Sequence, residues 1–322
     1  MARVHSQQPA RMFDSTTLNL DNYIKFRPAY SEALYAEIYR YHKSQGGQWD
    51  FAHDAGTGAG IVAEELAKRF TTVAASDPSS FYIDQAKKRL SASGEASKFR
   101  FDCHPGEDMS WLPDASVDMV TMAEAIHWTE HEKVLDSASR ALKPGGTLAI
   151  WIYGTLPFFV DDSTGAQGIL NKISERWFGR IKNTATPDHI ARFTRAVRMI
   201  NLRMDVIQFD EKIWNSGVRR IHWNSNRPPM GTSKVFECDR TLPPRKMEDV
   251  VERREDNMIM SYSADANWIQ GYMNHLYPDL PYDRALEDMF AELAKVMEAT
   301  GGKSQLSWTC SLILATKSAK TE

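Results

Sequence analysis

The chain has 322 residues, enough for one enlarged domain or for a domain carrying a substantial insertion. Charged residues make up 25% of it and the formal net charge is -3, so no overall basic field exists to hold a nucleic acid or an anionic membrane; a small-molecule partner is expected. The run Met1–Met12 has no apolar signal region, no stretch approaches the roughly 18 apolar residues that span a bilayer, and Cys103, Cys238 and Cys310 lack CxxC spacing or a nearby His pair, which together predict a cytoplasmic chain with reduced thiols.

In chain order, Ser31–His42 reads as a helix with Leu34, Ile38 and Tyr41 on one face. From Gln48 to Tyr153, short β-rich runs alternate with helical ones, the signature of successive βαβ units and a parallel sheet. Strands are predicted at Trp49–His53, Thr71–Ser76, Lys98–Cys103, Val117–Met122 and Gly146–Tyr153, and helices at Ile61–Arg69, Ser80–Ser91 and Glu130–Leu142. After Tyr153 the alternation fails. About a hundred residues rich in Trp, Arg, Asn and Pro follow and predict a largely helical cap, with helical pieces at Ile169–Arg180 and Ala191–Met204. A helix at Arg284–Thr300 then leads through Gly301-Gly302 to a last β-run, Leu306–Thr316. The expected organisation is a lead-in over 1–45, an α/β core over 46–155, a mainly helical cap over 156–262, and over 263–322 a return to the core ending in a polar tail.

The strongest motif is His53-Asp-Ala-Gly56-Thr-Gly58-Ala-Gly60, between a predicted strand and a predicted helix. Close approach of a nucleoside ligand to the backbone needs glycine there, although an ordinary glycine-rich βα turn has the same look. Asp77 ends the next strand about 20 residues on, where a carboxylate accepts both ribose hydroxyls. Dinucleotide sites want G-x-G-x-x-G, but Ile61 stands where that third glycine would be; G-x-G-x-G preceded by Asp54 matches methyltransferases instead. S-adenosylmethionine has no phosphate. Its amino group needs an acceptor, which Asp54 supplies or orients.

At these residues the chain resembles the class I methyltransferases, and more narrowly the trans-aconitate methyltransferase group with its fungal relatives. Tyr23-Ile-Lys-Phe-Arg27-Pro28-Ala-Tyr30 is similar to that group's lead-in, Ser76-Asp77…Tyr82-Ile83…Ala86 to its second-strand segment, and Pro105-Gly106-Glu107 and Ala123-Glu-Ala-Ile-His127-Trp128 follow in order. The resemblance implies a doubly wound, mostly parallel seven-stranded Rossmann-like sheet with a helical cap insertion. It implies S-adenosylmethionine as methyl donor, S-adenosylhomocysteine as product, and no metal. It further implies that Gly56 and Gly58 line the methionine part with Tyr23 and Ala123 nearby, that Asp77 holds the ribose, that Gly106 and Glu107 border the adenine, and that Arg27 pairs with the donor's carboxylate. Tyr82 stands where the group commonly has Met against adenine. Pro105 replaces a frequent acidic residue, leaving the adenine amino group to Glu107.

Methyl transfer from a sulfonium is an in-line displacement with a neutral leaving group, so positioning and exclusion of water supply much of the rate. His127, just past the fourth strand, is the candidate base for a hydroxyl or thiol acceptor, unless it only shapes the pocket, and Trp128 is a candidate wall. Aromatics of the cap more often build a small core than touch substrate; Trp223 and Trp268 are the candidates for contact. The expected reaction is methylation of an oxygen or thiol of a small organic acid or secondary metabolite, by a monomer or homodimer. A protein of the same fold that retains the donor for a rearrangement, or acts as a partner subunit, is the alternative.

Overall fold

The structure, a computed structural model, describes residues 24–92, 94–277 and 280–319. Tyr23 lies outside the described residues. Helix α1 (Glu32–Ser44) precedes the sheet, capped by Ser31, whose hydroxyl accepts from the backbone N–H of Leu34. The core then runs β1 (Phe51–Ala55), α2 (Ile61–Ala67), β2 (Thr72–Ser76), α3 (Ser80–Ser91), β3 (Phe99–Asp102), β4 (Val117–Ala123), α4 (His131–Ala141) and β5 (Leu142–Tyr153). In β1, β2 and β4 nearly every residue is buried, as expected of parallel strands covered on both faces. Helix α4 buries Val134, Leu135, Ala138 and Ala141, an apolar stripe at helical spacing. Asp118, at the start of β4, accepts from the backbone N–H groups of Asp50 (3.2 Å) and Phe51 (2.9 Å) and pairs with Lys143 at 2.7 Å. One buried carboxylate thereby ties three neighbouring strands at their N-terminal ends.

Beyond β5 come β6 (Phe158–Phe159), α5 (Ala166–Thr184), α6 (Pro187–Asn201), β7 (Val218–Trp223), β8 (Asp249–Arg254), β9 (Ser261–Ala264), α7 (Ala266–Leu276), α8 (Arg284–Glu298), β10 (Ser304–Ser307) and β11 (Cys310–Thr316). The main sheet has the order β3-β2-β1-β4-β5-β11-β7-β8, and a small antiparallel sheet has the order β6-β10-β9. In the main sheet β11 alone runs against its neighbours: it is antiparallel to both β5 and β7, while β7 and β8 pair in parallel. The doubly wound, mostly parallel architecture matches expectation with eight strands in place of seven.

Two corrections follow. Val218–Trp223 and Asp249–Arg254, expected within a mainly helical cap, are sheet strands. Arg220 and His222 obscured β7, because charged or polar residues at inward positions break the apolar pattern of a buried strand. Both are buried: Arg220 donates from Nε to Asp249 (2.5 Å) and from its two other nitrogens to the carbonyls of Met204 (3.1 Å) and Ile207 (2.7 Å), and Nδ1 of His222 meets Ser311 Oγ at 3.0 Å. Secondly, the final β-run is broken at Trp308-Thr309, where the chain leaves the small sheet and enters the large one.

The helical part of the cap is α5 and α6. Thr186 caps α6, with Pro187 in its first turn. Helix α5 is fastened to the start of α8 by Arg176, which donates bidentately to Asp283 (2.7 and 2.9 Å). Helix α6 packs against the short turn Ile126–Trp128 that follows β4, with the rings of Phe193 and Trp128 6.4 Å apart. This seats the cap over the carboxyl ends of the central strands. Among the described residues no helix is long and apolar enough to cross a membrane.

Candidate active site

A cleft of about 550 Å³ opens at those carboxyl ends, in the size range of small-molecule sites. One flank is the loop after β1. The backbone N–H groups of Gly56 and Thr57 both donate to the carbonyl of Ser76, at 2.8 and 2.9 Å, so the loop folds back on the end of β2. Gly56 has φ +72°, and a Cβ there would lie 2.6 Å from that of Ala125. Only glycine fits. Asp77 locks the turn from the other side, its Oδ2 accepting from Gly58 N (3.0 Å) and its Oδ1 from Ser79 N (2.9 Å).

Asp54 is buried at the end of β1, accepting from the hydroxyls of Thr57 (2.7 Å) and Thr121 (2.9 Å). Burial pushes its carboxyl up to about 6, against those hydrogen bonds. Gly106 lines the cleft where a Cβ would collide with the Met122 methyl group at 2.3 Å, and Glu107 accepts from the backbone N–H of Glu130 at 3.0 Å. Tyr82 is buried near the start of α3, and Ala123 ends β4; both face the cleft. Arg27 donates to the hydroxyl of Tyr153 at 3.0 Å. Apart from Tyr23, then, every residue expected to hold the methyl donor lines a single cavity.

His127 and Trp128 line it as well, with their rings 4.9 Å apart. Burial, reinforced by the Arg27 charge, lowers the His127 imidazole to about 3, so it is neutral at physiological pH; its Nδ1 has no hydrogen-bond partner among the described residues. The two other aromatic candidates do not reach the cleft. Trp223 is buried in β7 opposite Cys310. Trp268 is buried in α7, donates from Nε1 to the carbonyl of Lys25 (2.9 Å), and stacks on Tyr262 with centroids 4.3 Å apart. Both belong to the core. The wall opposite the glycine loop is built instead by Trp177 of α5, Phe193, Val197 and Ile200 of α6, Met230, and Tyr272 of α7. Its sequence signal was the apolar face of α6, where Phe193, Ala196, Val197 and Ile200 recur at helical spacing. Sequence reasoning also passed over Glu124, a buried-site carboxyl beside Arg27.

Residues 53–150, the stretch from β1 into β5 that carries the glycine loop, match the family model described as "Methyltransferase domain". Over 315 residues the chain is 30% identical to methyltransferase pgmE of Aspergillus terreus, covering 92% of each chain. Over 316 residues it is 30% identical to methyltransferase cfoB of Aspergillus candidus, covering 92% of this chain and 94% of that one. The chain belongs to the class I methyltransferases. Among solved structures, a protein described as a type II methyltransferase from Anaeromyxobacter dehalogenans shares the fold, with a TM-score of 0.53 at 18% identity over 89% of this methyltransferase and 97% of that chain. Among the described residues, the methyltransferase has no group of three or more His, Cys, Asp or Glu side chains placed to hold a metal ion.

Proposed function

We propose that the protein transfers the methyl group of S-adenosylmethionine to an oxygen or thiol of a small organic acid or secondary metabolite. The observation that carries this reading is the division of one cleft between a polar glycine-loop flank and an apolar wall supplied by the cap. The loop's fit to a nucleoside rests on the two glycine positions where a Cβ would collide, Gly56 and Gly106, and on the fixed carboxylate of Asp77. The donor supplies an electrophilic methyl carbon on a positively charged sulfur. Asp77 holds the ribose, Tyr82, Gly106 and Glu107 border the adenine, and Arg27 and Asp54 receive the amino-acid end, with Gly56, Gly58 and Ala123 lining its path. Trp177, Phe193 and Trp128 orient the acceptor and exclude water from it. His127, held neutral, shapes the acceptor side.

A mass-spectrometric screen of candidate metabolites with isotopically labelled donor tests the reading. The expected result is demethylated donor accumulating in step with an acceptor heavier by one labelled methyl group. Turnover with the donor unchanged would overturn transfer and favour a donor-retaining rearrangement.

A further inference from the structure

Glu124 directly follows β4 and lines the cleft between Ala123 and His127. Its backbone is left-handed, φ +51°, a conformation that a non-glycine residue keeps only where its surroundings enforce it, and one that gathers at functional sites. Two anchors on β5 enforce it here. The backbone N–H of Glu124 donates to the carbonyl of Trp151 at 3.0 Å, and its side-chain Oε1 accepts from the backbone N–H of Tyr153 at 2.5 Å. The carboxyl is thereby bent across the end of the sheet, with Oε1 committed to that bond.

The groups that face this carboxyl come from four directions: Arg27 from the segment before α1, Tyr153 on β5, Tyr272 on α7 and Cys310 on β11. Arg27 is the cation in this set. Burial outweighs it and the Tyr153 hydrogen bond, and holds the carboxyl up at about 8. A carboxyl so tuned is a far better proton acceptor than an imidazole held near 3, and a nearby positive charge converts it to its ionised form.

We propose that Glu124 takes the proton from the acceptor, and that the positive charge of the bound methyl donor converts it to the carboxylate that does so. The proposal rests on the methyl-transfer reading above. The acceptor oxygen forms its bond to the methyl carbon as the carbon–sulfur bond breaks, with that electron pair passing to sulfur. The acceptor's O–H proton goes to Oε2 of Glu124, which gives it to solvent once product has left.

The test is calorimetry of the full chain with S-adenosylmethionine and with S-adenosylhomocysteine, each in two buffers of different ionisation enthalpy at pH 7. The Glu124→Gln variant is compared throughout, since its amide oxygen still accepts from Tyr153. In the parent protein, S-adenosylmethionine is expected to release the larger part of one proton and the uncharged homocysteine analogue much less. Relative to the variant, affinity for the charged donor should rise about tenfold between pH 7 and pH 9, as the free carboxyl titrates. Proton release equal in parent and variant would overturn the role of Glu124 while leaving the methyltransferase reading intact. A parent protein that binds neither compound would overturn both.

Discussion

Asp77 grips the glycine loop through its side chain, its Oδ2 accepting the backbone N–H of Gly58 at 3.0 Å. The same carboxylate both closes the turn and faces the cleft, so its removal acts on the ligand and on the loop. Asp77→Ala is expected to weaken S-adenosylhomocysteine binding by about 1.5 to 3 kcal/mol through loss of charge-assisted hydrogen bonds. Titration calorimetry checks this; unchanged affinity would place the ribose elsewhere.

Phe193 presents the cap's apolar face to the cleft and packs against Phe236 with centroids 4.7 Å apart. Phe193→Leu keeps most of that packing and changes the shape of the wall. The acceptor KM should rise while donor affinity stays near the parent value. Parallel losses of both would argue against separate donor and acceptor flanks.

Trp223, by contrast, is core. Trp223→Ala should destabilise the fold by about 3 to 5 kcal/mol, as large aromatic truncations in a close-packed interior do. Trp223→Phe should retain the parent acceptor KM. Denaturant unfolding and steady-state kinetics on the two variants separate these effects.

His127→Asn should retain most of the activity at neutral pH. A general base removed from the site costs about 100-fold or more in kcat, and an imidazole lowered to about 3 titrates far below neutrality. The deciding measurement is kcat against pH for parent and variant: selective loss of a limb near neutrality in the variant would return His127 to catalysis.

Acid sensitivity should carry a signature of His53, buried in β1 with Nε2 2.9 Å from Ser76 Oγ and lowered by burial to about 3. The unfolded chain binds this proton below about 6.5 and the folded chain does not. Stability from this residue is therefore complete above pH 6.5 and is lost as pH falls toward 3. Asp54, raised to about 6, works in the opposite sense, since the unfolded carboxyl ionises first and stability falls as pH rises toward that value. The contribution of His53 is thus read as a difference: melting temperatures of the parent should drop more steeply between pH 6.5 and pH 4 than those of His53→Gln.

Local chemistry made the donor half of the site legible in sequence. The Gly56, Gly58 and Asp77 positions are dictated by backbone approach and by the end of a strand, both of which leave a spacing in the chain. The acceptor half depends on which cap side chains turn inward, and that is decided by contacts far apart in sequence. Trp223 and Trp268 look like pocket walls by composition, yet pairing with β11 claims the first and stacking on Tyr262 the second. Strand β7 was hidden because Arg220 finds its partners on β8 and in the carbonyls after α6. Glu124 was passed over because its left-handed backbone, which aims the carboxyl, leaves no mark in the sequence.

The position of β11 has a consequence for the order in which the protein is built. Strands β1 to β5 are complete once residue 153 has emerged, and they can associate as a parallel sheet during synthesis. Strands β7 and β8 precede β11 in the chain but lie beyond it in the sheet, so neither can dock until Cys310–Thr316 is made. About 160 residues separate the two events, a wait of roughly 10 to 30 s at ordinary rates of translation. Throughout that interval the nascent chain carries the open edge of β5, and once β7 is made its His222 waits for Ser311. A ribosome-bound chain stopped short of Cys310 is the form most exposed to chaperones and to proteolysis.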